Sequence, residues 1–598
     1  MKQHRYRLLC LLLALLLTFP VTVSCKKKGG SSAPNGNEAR TTASQATIIP
    51  ENDNDRTVRT RRIPFRNLST DYAVADTEIQ TYYVDGNDVP YVSLLQFIQA
   101  LNGYFNCGDL LKYKYDPNQN TFSLFAYLQS GDFHSRLDVK WDTDTISVSD
   151  FNFFYHVLKE NQSTDYGAFT KTTHISSEQK HPVTFNIGGY YFDILYYDEK
   201  CLVPFVIVNL LFCSTQQYNV YYNGDAYYGY YGEMSVSAKA YRQIYQSSLN
   251  GKRQSKAMRI AAVNSLLFAT DYFYGLKEYK EIERFKDYIS QDIWNLVWSD
   301  NADDNIQGYQ NLIYQKLDEI HTRIDTFPIY ADFCDDPDLT GPEIGEIRTK
   351  FYETRKELLQ QQAYSAEKLD SVRYDEDIAI IPLTSFTTGS DAELYDSEGN
   401  LKDTAWKYDS YYYMQHCMKQ IKKHSGIRTI VLDLSLNGGG NVGAMKRVLG
   451  FLSDKVPKIS SYDKLTGEFL TTSFKVDTDG DGYYDDDAYD QYRWVILSSG
   501  YTFSAANTFV SIVKEQNLAK VIGQRTGGGM CSVLPLVLAD GTAIAISSNN
   551  TYRYVKTDKN NHQTFYAIES GLSPDTEIPY SEFYDSKQLK KYITNIFP

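Results

Sequence analysis

The stretch Ile427-Arg428-Thr429-Ile430-Val431-Leu432-Asp433-Leu434-Ser435-Leu436-Asn437-Gly438-Gly439-Gly440-Asn441 decides the fold. Its first half, Ile427 to Leu434, is a near-continuous apolar run of the kind that forms strands buried on both faces. A Gly-rich turn follows, and then Val442, Met445, Val448, Leu449 and Leu452 recur at helical spacing. Backbone N–H groups at the start of such a helix stabilise negative charge, so the turn suits a phosphate or an oxyanion. No Lys-Ser/Thr pair follows the glycines, as a phosphate loop requires.

Downstream the same grammar repeats. Trp494-Val495-Ile496-Leu497 reads as a strand that ends at Ser498-Ser499-Gly500, and a helix starting near Ser504 buries Ala505, Phe509, Ile512 and Val513. The Ser504 hydroxyl either caps that helix or serves as a nucleophile, and spacing alone leaves both open. No Gly-x-Ser-x-Gly elbow is present, which excludes the common hydrolase sheet enzymes. Ile378–Leu383 adds a strand, Tyr411–His424 a helix, and Val533–Leu538, Asp540-Gly541 and Ala543–Ser547 a hairpin. Residues 371–598 therefore read as an α/β domain.

Residues 251–370 read as a helical bundle. Tyr279, Ile282, Phe285, Ile289, Ile293 and Leu296 predict one face of an amphipathic helix. Tyr309, Ile313 and Leu317 predict another, with His321 at the next i+4 step and so on its buried side. A charged helix spans about 343–362. Residues 63–250 alternate aromatic strands with Asn-Gly and Asp-Gly turns, an α+β N-terminal region. Within it Tyr82–Val92 and Tyr196–Val206 look alike, which suggests a duplicated unit.

The 598 residues exceed a single core, and the net charge of −14 argues against a nucleic-acid partner. Tyr is abundant at 51 against 5 Trp, as a strand-rich chain or a wet binding face would use it. Lys2, Arg5 and Arg7 precede an apolar run from Leu8 to Leu17 and the small residues before Cys25, a secretory signal over 1–25. Ser24-Cys25 resembles the lipobox of bacterial lipoproteins, which implies lipidation at Cys25, anchoring to a membrane and an extracytoplasmic place in a bacterial cell envelope. Residues 26–62 are too polar to bury a core and read as a tether. Cys201 and Cys213 could pair in an oxidising exterior.

Five short motifs carry a family resemblance. Val431–Gly440 resembles the Asp-Leu-Arg-x-Asn-x-Gly-Gly segment of the tail-specific (C-terminal processing) serine peptidases, and Val495–Phe509 their nucleophile segment. Val521–Gly528, Leu317–Arg323 and Ile568–Asp575 are similar to three further family signatures, in the family's order. The resemblance implies a crotonase-like α/β peptidase core beside a small helical bundle, and hydrolysis of peptide bonds in peptides or polypeptides. It implies Ser504 as nucleophile, His321 as base and Glu569 as the carboxylate that orients the His side. Gly439, Gly438 and the Ala505 N–H would form the oxyanion hole. Gly529 stands where the Ser-Lys branch carries its Lys, so Thr526-Gly527-Gly528-Gly529 resembles the tricorn-like branch. The interval from Arg323 to Asp377 leaves no room for the PDZ-type peptide-binding domain of many members. Asn507 replaces the usual Glu and Ser435 the usual Arg. A lipoprotein that keeps this fold but only binds peptide or glycan is the alternative.

No cofactor is needed for that chemistry. Asp477-Thr478-Asp479-Gly480-Asp481-Gly482-Tyr483-Tyr484-Asp485 has the spacing of a Ca²⁺ loop, and Asp477, Asp479, Asp481 and Asp485 are its candidate ligands. Position twelve would be Ala488 rather than Glu, so a structural Ca²⁺ site here would be incomplete or borrow Asp487 or Asp490, and a solvated acidic loop is the other reading.

Overall fold

The computed structural model describes residues 56–597, apart from 109, 162–167, 342, 363–371, 485–487 and 561. The expected signal, Cys25 and residues 26–55 of the expected tether lie outside the described residues, as does Asp485. The end of that tether is instead structured, since residues 58–62 open the strand Val58–Asn67, paired antiparallel with Thr77–Val84. No helix among the described residues is long and apolar enough to cross a membrane.

The strand expected from Ile427 to Leu434 forms over Thr429–Asp433, at the middle of a six-stranded sheet. The order is Arg373–Asp375, Ile378–Pro382, Thr429–Asp433, Arg493–Ser498, Lys520–Gly523 and Thr576–Glu577. Only the first strand is antiparallel to its neighbour. Alternation explains the unbroken apolar run. Ile430 and Leu432 pack under the helices Ser410–Ile421, Val442–Gly450 and Ala505–Gln516. Val431, with Val495, Leu497 and Ile522, packs against the helices Glu346–Gln362 and Ser586–Ile596 on the other face. The result is a three-layer α/β unit in which both Gly-rich and Ser-bearing crossovers leave the carboxyl ends of adjacent strands.

A second, seven-stranded sheet leans on the 15-residue strand Ala543–Thr557, which pairs with Arg323–Thr326, Cys531–Val537, Lys458–Asp463 and Gln563–Ala567. The hairpin read at Asp540-Gly541 forms, with Gly541 at φ +83° and the Thr542 carbonyl accepting from Leu538 N–H at 2.9 Å. Thr170–Glu178, from the N-terminal region, adds an edge to this sheet through Phe469–Val476.

The two look-alike segments meet. Tyr91–Ser93 pairs antiparallel with Lys200–Pro204 in another seven-stranded sheet, and a helix follows each, Leu94–Ala100 and Phe205–Phe212. Part of the Tyr excess is core. Tyr104 and Tyr218 stack at 4.6 Å, each fully buried, and their hydroxyls donate to the Phe212 carbonyl (2.9 Å) and to Asn67 Oδ1 (3.0 Å). Buried Tyr is tolerated because its polar tip finds a partner. Cys201 and Cys213 are buried free thiols and form no bridge.

The helical region departs from expectation. Between Tyr279 and Leu296 there is no single helix but two short ones, Phe285–Tyr288 and Gln291–Val297, interrupted where Ser290 turns extended at ψ 157°. Ile282, Phe285, Ile289 and Ile293 are buried nonetheless, while Tyr279 is exposed. Periodicity survived the break because each fragment meets the same core. That core is shared: Val206, Phe212, Leu266, Leu534 and Ile544 belong to one contiguous cluster spanning three of the segments read as separate. The Asn219 side chain also donates to the Pro535 carbonyl at 3.3 Å.

A chain beginning at Lys252 should therefore lose its cooperative melting transition in scanning calorimetry, whereas the chain from Arg56 onward should melt as one unit. A soluble 252–598 fragment that unfolds cooperatively would refute the shared core.

Candidate active site

Ser504 sits where the strand Arg493–Ser498 crosses over into the helix Ala505–Gln516, at φ +57°, ψ −122°. A residue with a Cβ avoids that region, at a cost on the order of 1–3 kcal/mol. The hydroxyl makes no capping bond to the helix. Of the two roles open to Ser504, capping is therefore removed. Hydrogen bonds hold the strained turn. The Ser504 N–H donates to the Gly528 carbonyl (2.9 Å), and Phe503 N–H donates to the Asn437 carbonyl (3.1 Å). The Ser499 and Thr502 hydroxyls donate to the Ser435 (2.5 Å) and Leu434 (2.8 Å) carbonyls, which fastens this crossover to the glycine turn beside it.

The glycine turn comes up against the serine. A Cβ on Gly439, which lies at φ +112°, would stand 2.7 Å from Ser504 Cβ and 3.2 Å from the Ala505 nitrogen. Gly440 is equally committed, since a Cβ there would fall 2.2 Å from the Phe386 carbonyl oxygen. Asn437 shapes the turn by donating to the Leu383 carbonyl (3.0 Å) and accepting the Gly439 N–H (2.9 Å). Ala505, the first helical residue, has an N–H with no intrahelical acceptor. Gly439 and Ala505 thus flank the hydroxyl. Gly438 faces Tyr501 instead, whose Oη would lie 3.2 Å from an added Cβ.

His321 arrives from the other side. The helix Ala302–Gln310 widens into a π-helical stretch, Asn311–Leu317, and ends at Asp318 in left-handed conformation, φ +40°. His321 is therefore not on the helix at an i+4 step; it lies in the loop before the strand Arg323–Thr326. It is buried all the same, in a loop anchored by Asp318, Glu319 and Arg348. Asp318 accepts the N–H groups of Ile347 (2.7 Å) and Arg348 (3.1 Å), capping the helix Glu346–Gln362. Arg348 returns the clamp, its guanidinium donating to the Glu319 and Thr322 carbonyls. Glu319 accepts the N–H groups of His321 (2.7 Å) and Thr322 (3.0 Å).

So held, the His321 ring packs on Phe503, the neighbour of Ser504, with ring centres 4.6 Å apart. Its Nε2 is buried without a hydrogen-bond partner. Burial pushes the imidazole down to about 4, against the pull of the Glu319 carboxylate, so at neutral pH it is uncharged and able to accept a proton. Glu569 lies close by through its backbone: a Cβ on Gly528 would fall 1.8 Å from its carbonyl oxygen. Its carboxylate accepts the Met530 N–H (2.8 Å) rather than a bond from His321. Burial, reinforced by Glu319, raises it to about 7. The carboxylate that bonds directly to the His321 loop is Glu319, a role that sequence reading did not assign.

Residues 360–578 match the model of peptidase family S41. The chain carries an S41 peptidase domain. This is the tail-specific serine peptidase family that the motifs resemble, and the domain is that of a serine hydrolase. Comparison with curated proteins finds no match. Among solved structures, a protein from Parabacteroides merdae assigned as a peptidase is 17% identical over 58% of this chain and 98% of its own, with a TM-score of 0.38. The photosystem II D1 C-terminal processing protease is 20% identical over 35% of this chain and 45% of its own, with a TM-score of 0.23. An S41 protease from Bacteroides fragilis is 14% identical over 38% of this chain and 57% of its own, with a TM-score of 0.25. These likenesses are too slight to carry an inference.

At three positions where the sequence departs from the family pattern, the residue present has a defined structural setting. Where Ser435 replaces Arg, the guanidinium of Arg373 comes from the edge strand to pair with buried Asp433 at 3.4 Å, and Ser435 itself donates to Asp433. Asn507, replacing Glu, donates to the Ile568 carbonyl (3.0 Å) and accepts the Thr526 hydroxyl (2.7 Å), tying the helix Ala505–Gln516 to two neighbouring loops. Gly529 leaves no space for a side chain, since a Cβ would lie 2.5 Å from the Phe503 ring.

The acidic loop forms a compact turn. Carboxylate oxygens of Asp477, Asp479 and Asp481 lie within 4.8 Å of one another. Asp477 already accepts the N–H groups of Gly480 (2.6 Å) and Gly482 (2.9 Å), which accounts for the turn without a cation. His416 stacks on Trp406 and His424 on Tyr374, both without contact to this site.

Replacing Gly439 by Ala should cut peptidase turnover by about 100-fold or more while the chain still folds, because the new methyl collides with Ser504. Steady-state rates with circular dichroism check this, and unchanged turnover would show that the glycine turn does not border the reacting atoms.

Proposed function

We propose that this chain is a surface-anchored serine endopeptidase in which Ser504 attacks the peptide carbonyl and His321 takes the hydroxyl proton. The observation that carries the reading is a strained, uncapped serine together with a buried, unpartnered imidazole nitrogen whose ring packs on Phe503, the residue before that serine. A serine hydroxyl is too weak an acid to attack an amide unaided, so a neutral imidazole accepts its proton and later returns it to the leaving amine. The Ala505 N–H would face the tetrahedral oxyanion at the positive end of the helix, while Gly439, whose N–H is given to Asn437, and Gly438, which faces Tyr501, would shape the turn beside it. Glu569 would act on the base at one remove, through Glu319, which holds the His321 backbone. The α/β unit would be the crotonase-like core of the family. Acyl chains on Cys25 would hold the enzyme at a membrane face with its site in the envelope. Peptide or polypeptide is the substrate class, and no cofactor enters the chemistry.

Ser504→Ala and His321→Ala should each lower turnover of an unstructured polypeptide by about 10³-fold or more with the fold retained. Turnover surviving either change would end the proposal. The acid limb of fluorophosphonate labelling at Ser504 should fall near pH 4 rather than near the 6.5 of a solvated histidine. Stability should follow the same sign: the unfolded chain protonates His321 near 6.5 and the folded chain near 4, so stability present above 6.5 is lost as pH falls through that interval. A labelling limb at 6.5 would show that the imidazole is not desolvated in the working enzyme.

A further inference from the structure

Arg323, two residues beyond the proposed base, spends its guanidinium on three partners. Nη1 donates to the His321 carbonyl at 3.3 Å, Nε pairs with Asp325 at 3.1 Å, and Nη2 pairs with Glu233. Glu233 does not belong to the S41 domain. It stands in the connector between the strand Tyr227–Tyr231 and the helix Lys239–Tyr245 of the N-terminal region.

Both sides of Glu233 are fixed. Gly232 N–H donates to the Gln217 carbonyl at 2.6 Å, and Met234 is buried among Tyr221, Tyr241, Tyr245 and Val537. The carboxylate is therefore delivered by a pinned backbone, not by a loose surface chain. Its charge is also needed. Asp325 is buried, and burial lifts its carboxyl to about 7, so near neutral pH it offsets only part of the Arg323 charge. Four charged groups act on the imidazole: Glu319 and Glu233 favour its protonation, while Arg323 and Arg348 oppose it.

We propose that Glu233 is a positioning residue for the His321 loop, so that the N-terminal region completes the peptidase site. The inference rests on the Ser504–His321 reading. Loss of the carboxylate frees Nη2 of the Arg323 fork and leaves a cation that Asp325 alone offsets in part beside the base.

The test compares fluorophosphonate labelling of Ser504 across pH in full-length wild type, Glu233→Gln, Glu233→Asp and His321→Ala. Glu233→Gln should label about 10-fold more slowly, with its acid limb moved to lower pH, and Glu233→Asp should recover most of the rate. A Glu233→Gln rate and limb equal to wild type would overturn the proposal. His321→Ala labelling as fast as wild type would instead overturn the Ser–His reading, whatever Glu233 does. Should Glu233→Gln fail to fold, salt supplies the second measurement, because the pair is part-exposed at 32% and 44% and screening reaches down to about 3 Å at 1 M. Slowing of wild-type labelling by salt, with Glu233→Asp slowed in parallel, supports the proposal, and labelling indifferent to salt contradicts it.

Discussion

A serine held at φ +57° is costly, and most of what surrounds Ser504 makes sense as the means of keeping it there. The backbone bond from Ser504 to Gly528 fixes one side of the turn, and the Ser499 and Thr502 hydroxyls fix the other to the glycine crossover. Those anchors work only because two parallel strands, Thr429–Asp433 and Arg493–Ser498, end side by side and release both crossovers at the same edge. With no Cβ, Gly439 lets the crossovers touch. The sheet thus acts as the rigid frame that makes a high-energy backbone conformation the stable one locally.

His321 is held by a different device. Asp318 and the helix Glu346–Gln362 clamp each other, carboxylate to helix N–H and guanidinium to loop carbonyls. Glu319 satisfies the loop from inside. An imidazole on an ordinary surface loop would be solvated and mobile; here it is dry and fixed against Phe503. The price is a weakened base, since burial depresses its proton affinity. The carboxylates of Glu319 and Glu233 act against that depression.

What could be read in the sequence follows from the range of the interactions involved. The strand Ile427–Leu434 was legible because burial on both faces leaves a one-dimensional record, and the hairpin at Asp540-Gly541 because turn chemistry is local. His321 was legible as a buried residue, but for the wrong reason: helical spacing continued past Leu317, whereas the chain had already left the helix through a π-helical turn and a left-handed Asp318. The broken helix between Tyr279 and Leu296 shows the same limit, since two fragments facing one core keep a common period. The choice between capping and nucleophilic roles for Ser504 required its backbone angles. The pairing of Arg373 with Asp433, and Glu233 reaching the His321 loop, left no local trace at all, because both are contacts between distant segments.

The central claim is that folding brings the His321 imidazole and the Ser504 hydroxyl into one reacting unit. A crystal structure of the fluorophosphonate adduct tests it most directly. The account expects phosphorus bonded to Ser504 Oγ, His321 Nε2 within about 3 Å of that oxygen, and the phosphoryl oxygen facing the Ala505 N–H. An adduct in which His321 remains apart from Ser504, with Phe503 between them and no donor on the phosphoryl oxygen, would contradict it.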